Sequence, residues 1–372
     1  MLDKLPALVT SRGKNVLLLT GRASFRHTEL YAKLITDLQK NGITVFETTV
    51  VTEPSPALID TLTSEYRSKN INVVVAIGGG SVLDAGKALS AMLPMNDSVM
   101  DYLEGVGTKV HPGTKVPFIA VPTTSGTGSE ATKNAVLSEI GEKGYKKSLR
   151  HDNFMPDVAL VDPRLTLTCP ADVTAACGMD AYTQLLEAYT SDGANELTDG
   201  LALSGLKRIS HSLMNVCKHP GDLDARTDLS YASLMSGICL AQAGLGIVHG
   251  FASPIGGYFD IPHGVVCGTL LGACTRINID RLRNDPSLKK YPAKYADAGR
   301  LLTDINGKDD IYYTSLLSDT LDKWVEELKL PRLSHYGITA TDFDRIIAGT
   351  GNKNNPVKLT KEDMRTILGM RL

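Results

Sequence analysis

Four side chains beyond residue 168 of the 372-residue chain could ligate a divalent cation, and their spacing lets them meet. Asp180 and Gln184 fall four apart in Gly178-Met179-Asp180-Ala181-Tyr182-Thr183-Gln184, so on a helix both project from one face. His249 and His263 bracket a stretch that contains Pro254, Gly256, Gly257 and Pro262. Pro254 and the glycine pair are expected to end one helix and return the chain, and Pro262 to open the next. Both imidazoles would then converge on the Asp180 face, a donor set suited to Fe²⁺ or Zn²⁺. Spacing alone leaves a second reading open, in which the histidines are hydrogen-bonded core residues.

Two segments of the first half offer donors to an anionic ligand. Gly78-Gly79-Gly80-Ser81 follows an apolar run and opens a helical pattern. Consecutive glycines let a phosphate approach the backbone, and a helix start supplies unpaired N–H groups and a positive dipole end. The loop is neither of the two common phosphate motifs. Gly80 to Gly86 is one residue too long for GxxxxGK[ST] and Ala88 follows Lys87, while Leu83 stands where GxGxxG needs its last glycine. The second segment, Pro122-Thr123-Thr124-Ser125-Gly126-Thr127-Gly128-Ser129, gathers five hydroxyls that could donate to a ribose, a phosphate or a carboxamide. A plain reversing turn in the first case and a hydroxyl-capped helix start in the second are the alternatives.

The elements that must position these residues follow from periodicity. Val16–Leu19, Thr44–Val51, Val73–Ile77 and Phe118–Val121 read as strands, and Thr28–Asn41 and Pro56–Lys69 as helices between them, the order of a parallel sheet with crossover helices. Both donor segments therefore sit at strand C-terminal ends, where open α/β sheets bind ligands. After Pro163 the pattern changes to long helices at Ala171–Tyr189, Asp199–Cys217 and Asp224–Leu240. The expected organisation is a Rossmann-like α/β nucleotide-binding domain over 1–168 and an all-α domain over 169–372, with Cys169-Pro170 as the boundary. Lys+Arg 39 against Asp+Glu 41 gives a net charge of −2 and no electrostatic reason to expect nucleic acid or a membrane surface. No apolar run approaches the roughly 20 residues of a bilayer span, and Lys4 and Pro6 break the place where a signal sequence would lie, so a cytoplasmic protein is expected. The six cysteines, all after residue 168 and without CxxC spacing, read as reduced packing residues.

The motifs GGGSVLDAGK, PTTSGTGSEAT, PDVALVDP, GMDAYTQLLEAY and HGFASPIGGYFDIPHG, in this order and at these intervals, resemble the iron-containing (group III) alcohol dehydrogenase family. The resemblance runs from about residue 14 to the final NPVKLTKEDM segment. It implies a fold similar to dehydroquinate synthase and glycerol dehydrogenase, with a metal in the cleft between an α/β and a helical domain. It places the cofactor diphosphate on Gly79, Gly80 and Ser81, puts Asp84, Thr123, Thr124, Thr127 and Asn134 along the nucleotide, and sets Lys146, or the adjacent Lys147, near its ribose. The metal ligands it implies are Asp180, Gln184, His249 and His263. Two positions depart from the family pattern: Gln184 stands where a histidine is usual, and Ser253 stands where most members carry another histidine. Gln184 is expected to face the ion through its carbonyl oxygen, directly or through a water; the alternative is that it hydrogen-bonds substrate or cofactor and leaves three protein ligands.

The implied activity is metal-dependent hydride transfer between NAD(P) and an alcohol, aldehyde or ketone, the ion (Fe²⁺ by family, Zn²⁺ as the alternative) acting as Lewis acid. No catalytic residue beyond the ligands is singled out. Gly21 takes the place where NAD-specific relatives carry an acid, so with Arg22 and Ser24 nearby NADP is expected to be accepted, and even preferred to NAD. The implied partners are a small alcohol or aldehyde and a second copy in a homodimer. The rivals are a metal-depleted, non-catalytic nucleotide-binding protein and a lyase of the dehydroquinate-synthase type.

Overall fold

The computed structural model describes residues 1–22 and 24–372, apart from the Pro286 side chain; Ala23, beside the segment read for cofactor choice, lies outside the described residues. The chain divides into two compact units, one made of Met1–Thr124, Gly128–Glu139 and Lys146–Cys169, the other of Ser125–Thr127, Ile140–Tyr145 and Pro170–Leu372.

In the first unit α1 (Leu5–Thr10) leads into β1 (Asn15–Gly21), α2 (Glu29–Lys40), β2 (Thr44–Val50), α3 (Pro56–Tyr66), β3 (Val73–Gly78) and α4 (Gly80–Met92). β4 (Phe118–Pro122), β5 (Asn134–Glu139), β6 (Tyr145–Arg150) and β7 (Val158–Ala159) follow. Five strands form a parallel sheet in the order β2-β1-β3-β4-β7. β3 and β4 are buried along their whole length, which is why they read as continuous apolar runs rather than alternating ones. Thr28 and Ser55 start α2 and α3 by accepting from Tyr31 N–H and Leu58 N–H. The chain leaves β1 for β2 on one side and returns to β3 on the other, so the strand order reverses between β1 and β3. In such sheets the ligand crevice lies outside the carboxyl ends at that point. The β5-β6 pair forms a separate two-stranded sheet that the periodicity did not distinguish. Its residues Tyr145-Lys146-Lys147-Ser148 lack an apolar run, so no burial signal marked them.

The second unit is helical: α5 (Ala171–Thr190), α6 (Glu196–Lys218), α7 (Leu223–Ala243), α8 (Ile247–Tyr258), α9 (His263–Arg283), α10 (Lys290–Arg300), α11 (Asp310–Glu327), α12 (Phe343–Gly349) and α13 (Lys361–Met370). α5 is its centre, buried almost without interruption from Thr174 to Thr190 and packed by α6, α7 and α9. Small residues let the neighbours come close. A Cβ on Gly264 would stand 2.5 Å from the Ala176 carbonyl, and one on Gly268 would stand 2.9 Å from Met179 Cβ. Pro254 itself lies inside α8, contrary to expectation, whereas the helix does end at Tyr258, one residue after the glycine pair. Phe251, Ala252 and Ile255 are buried on either side of Pro254, and that packing offsets the lost backbone hydrogen bond. Pro262 does precede α9, as expected. No single described helix is long and apolar enough to cross a membrane.

Candidate active site

Asp180 sits mid-way along α5, His249 in the first turn of α8, and His263 at the first position of α9. The packing of these helices brings the three together. Asp180 Oδ1 stands 3.3 Å from His249 Nε2 and 3.7 Å from His263 Nε2, and the two imidazole centres are 5.4 Å apart. Asp180 is 1% exposed, and its Oδ1 is buried without a hydrogen bond of good geometry. A bare carboxylate oxygen in such a place is costly unless a cation satisfies it, so the residues fit a metal ion. Burial works to raise the Asp180 carboxyl, but the facing His263 and His249 outweigh it and hold the group at about 2. Burial likewise opposes the charged form of His249, and Cys267, Asp180 and Glu187 around it hold it well above the usual histidine range.

Gln184, one turn along α5, gives its Nε2 to Asp180 Oδ2 at 3.3 Å, while its Oε1 accepts from Ser236 Oγ of α7 at 2.8 Å. The carbonyl oxygen expected to face an ion thus lies against Ser236 Oγ, whose single proton the Ser233 carbonyl, also at 2.8 Å, competes for. Two residues of the cluster escaped the sequence reading. Glu187 accepts at Oε2 from His249 Nδ1 at 2.7 Å and at Oε1 from Val248 N–H at 2.7 Å. It fixes the ring so that Nε2 faces Asp180. Cys267, read from the sequence as a packing residue, is buried and places Sγ 3.6 Å from His249 Nε2 and 3.7 Å from His263 Nε2. Both carried a signal: Glu187 is seven residues beyond Asp180, and Cys267 four beyond His263, on the same helix faces. Ser253 lies one turn beyond His249 on α8.

The nucleotide candidates collect in the first unit. Gly21, Gly79 to Ser81, and Thr123 with Thr124 lie at the C-terminal ends of the adjacent parallel strands β1, β3 and β4. Gly79 caps α4 with no side chain on its amides. A Cβ there would only touch Thr124 at 3.4 Å, whereas one on Gly78 would run into Val82 at 2.5 Å. Gly78 is therefore needed for packing, and Gly79 keeps space beyond what the turn needs. Asp84 and Lys146 are drawn into other contacts. Asp84 accepts from Ser129 Oγ at 2.6 Å and from Val136 N–H at 3.1 Å, and Lys146 Nζ pairs with Glu53 at 2.5 Å. Asn134 gives its carbonyl to the buried Lys87 Nζ at 2.8 Å and stands 3.5 Å from Ser148 Oγ. Thr127 belongs to the helical unit, in the segment where Ser125 Oγ meets Ser230 Oγ at 3.1 Å.

Family comparisons decide the class to which these sites belong. Residues 1–163 match the model of the iron-containing alcohol dehydrogenases, and residues 174–372 match that of the C-terminal part of the same family. The chain belongs to the iron-containing alcohol dehydrogenase family. It is 37% identical to long-chain-alcohol dehydrogenase 1 of Geobacillus thermodenitrificans over 286 residues, 74% of this chain and 71% of that protein. A crystal structure of 1,3-propanediol oxidoreductase superposes with a TM-score of 0.88 at 28% identity, covering 100% of this chain and 96% of that one. Sulfoacetaldehyde reductase from Bifidobacterium kashiwanohense, in complex with NAD⁺, gives 0.83 at 26% identity, covering 100% and 94%. The protein is accordingly an oxidoreductase of the iron-containing alcohol dehydrogenase type, acting on an alcohol or the corresponding carbonyl compound.

Proposed function

We propose that the cation of this alcohol dehydrogenase is held in the helical unit by Asp180, His249 and His263. We further propose that NAD(P) lies across the carboxyl edge of β1, β3 and β4, with NADP(H) accepted. The observation that carries the first part is the buried, unsatisfied Asp180 Oδ1 facing two imidazole nitrogens. When bound, a divalent ion there supplies Lewis-acid polarisation of the substrate oxygen. The chain's own residues do the rest. With the ion bound and the ring neutral, Glu187 would hold the remaining His249 proton on Nδ1 and leave Nε2 to ligate. Gln184, itself held by Ser236, orients Asp180 through its second oxygen. The amides at the start of α4 and the Thr123 and Thr124 hydroxyls suit a diphosphate and the groups next to it.

Acceptance of NADP(H) is supported by the absence of a carboxylate at Gly21, beside which Arg22 and Ser24 are exposed and can donate to a 2′-phosphate. A cytoplasmic setting is supported by the six cysteines, all free thiols. Homodimerisation belongs to the same reading and is measured by sedimentation. Replacing His263 by Ala should strip most of the bound metal and lower kcat/KM by orders of magnitude, while NADPH still binds with near wild-type affinity by fluorescence. Full activity in a metal-free His263→Ala preparation refutes the assignment.

A further inference from the structure

We propose that Cys267, rather than Gln184, supplies the fourth protein ligand of the cation. The proposal rests on the reading of Asp180, His249 and His263 as a metal centre. Cys267 Sγ, Asp180 Oδ1 and the two Nε2 atoms supply one donor each, and the ligand atoms of these four residues lie within 4.8 Å of one another. Four of the six separations are the 3.6 and 3.7 Å from sulfur to nitrogen and the 3.3 and 3.7 Å from oxygen to nitrogen. A tetrahedral ion with bonds of about 2.0–2.1 Å to nitrogen and oxygen and about 2.3 Å to sulfur sets its donors roughly 3.6 Å (S to N) and 3.4 Å (O to N) apart. The four observed edges agree with this tetrahedron to within roughly 0.4 Å.

The backbone shows how the thiol reaches the site. Cys267 is one helical turn beyond His263 on α9, the relation that Gln184 has to Asp180 on α5. Gly264 and Gly268 flank it and allow α9 to lie against α5 at distances no side chain would permit, with Ala176 and Met179 as the atoms met. Gln184 is committed elsewhere, its oxygen to Ser236 and its nitrogen to Asp180. The imidazole that position 184 lacks is thus answered by a thiol from the facing helix. A coordinating thiol is deprotonated, so Asp180 and Cys267 together neutralise the ion's two charges. The sulfur biases the site toward Zn²⁺ and other borderline or soft ions and away from Mg²⁺. His263, whose side chain is 26% exposed, marks the side from which a substrate oxygen can approach, and it would have to enter as a fifth donor.

The test uses the full chain, stripped of metal and titrated with Co²⁺. The wild type should take up one equivalent, with visible ligand-field bands and an intense near-ultraviolet thiolate-to-cobalt charge-transfer band. Cys267→Ser should lose the charge-transfer band and weaken Co²⁺ binding by more than the roughly 10- to 100-fold that loss of an outer hydrogen-bonding partner costs. Gln184→Ala should keep the band and lose affinity only within that range. A second measurement needs no variant: X-ray absorption of the zinc-loaded wild type should show one sulfur at about 2.3 Å. Stoichiometric cobalt binding without the charge-transfer band, or a zinc shell of nitrogen and oxygen only, overturns the role of Cys267 and leaves the metal centre standing. Failure of the wild type to bind either ion overturns the metal centre itself, and the proposal with it.

Discussion

Glu187 joins the backbone to the His249 imidazole, proposed above as a ligand, and replacing it by glutamine isolates what its charge does. The side chain is 8% exposed, so solvent does not screen its contacts. Its two oxygens accept from Val248 N–H in the first turn of α8, which has no side-chain cap of its own, and from His249 Nδ1. The amide of the Glu187→Gln variant keeps the volume and can still accept from Val248, but its NH₂ then meets His249 Nδ1. For that contact to survive, Nδ1 must accept, which moves the ring proton to Nε2, the nitrogen that faces Asp180 Oδ1 at 3.3 Å. Metal affinity should fall about 10- to 100-fold, or roughly 1.4–2.7 kcal/mol, through this change of tautomer. The metal-free protein loses a charge-assisted hydrogen bond worth about 1.5–3 kcal/mol and a favourable charge at a helix N-terminus, up to about 2 kcal/mol. With one amide bond retained, the expected stability loss is about 2–4 kcal/mol. Chelator competition with Zn²⁺ reads the first quantity and urea unfolding of the metal-free chain reads the second. A folded Glu187→Gln variant that binds Zn²⁺ within about threefold of wild type would show that Glu187 does not set the tautomer.

Gly79→Ala should leave the melting temperature nearly unchanged, since the new methyl only touches Thr124, yet weaken NAD(P)H binding at least about tenfold by fluorescence titration, because the methyl fills space meant for the diphosphate. Unchanged nucleotide affinity would mean that the glycine loop serves the turn alone. Burial pushes the Glu130 carboxyl up to about 7, so as pH rises from about 4.5 to 7 the unfolded chain ionises first and the native state loses stability, with no further change above. Glu130→Gln should remove that slope, gaining up to roughly 3 kcal/mol on wild type between pH 5 and pH 8 by denaturant unfolding. Lys87, lowered by its own burial to about 8, titrates at the upper end of this range in both proteins; parallel profiles for the two proteins would refute the burial argument. For cofactor choice, kcat/KM with NADP(H) should equal or exceed that with NAD(H), and Arg22→Ala should lower only the former; a hundredfold preference for NAD(H) in the wild type would refute this reading.

Local pattern carried most of the architecture. Strands β1, β3 and β4 are legible because a parallel strand buried on both faces has to be an apolar run, β2, a largely exposed edge strand, is legible by its β-branched residues instead, and their order with the intervening helices implies the parallel sheet. The glycines after β3, the hydroxyls after β4, and Asp180 with the two histidines stand out by type and spacing as candidate donors, while their roles came only from the family resemblance. What sequence spacing could not convey is contact between residues far apart in the chain. Asp180, Ser236, His249 and Cys267 sit on four different helices, α5, α7, α8 and α9, and which of their atoms meet is set by how closely those helices pack. Gly264 and Gly268 decide that distance for α9, and their effect depends on Ala176 and Met179, some ninety residues away in sequence. The same holds for Pro254: its local preference to end a helix yields to the burial of Phe251 and Ile255, a free energy that exists only once the helical core has formed.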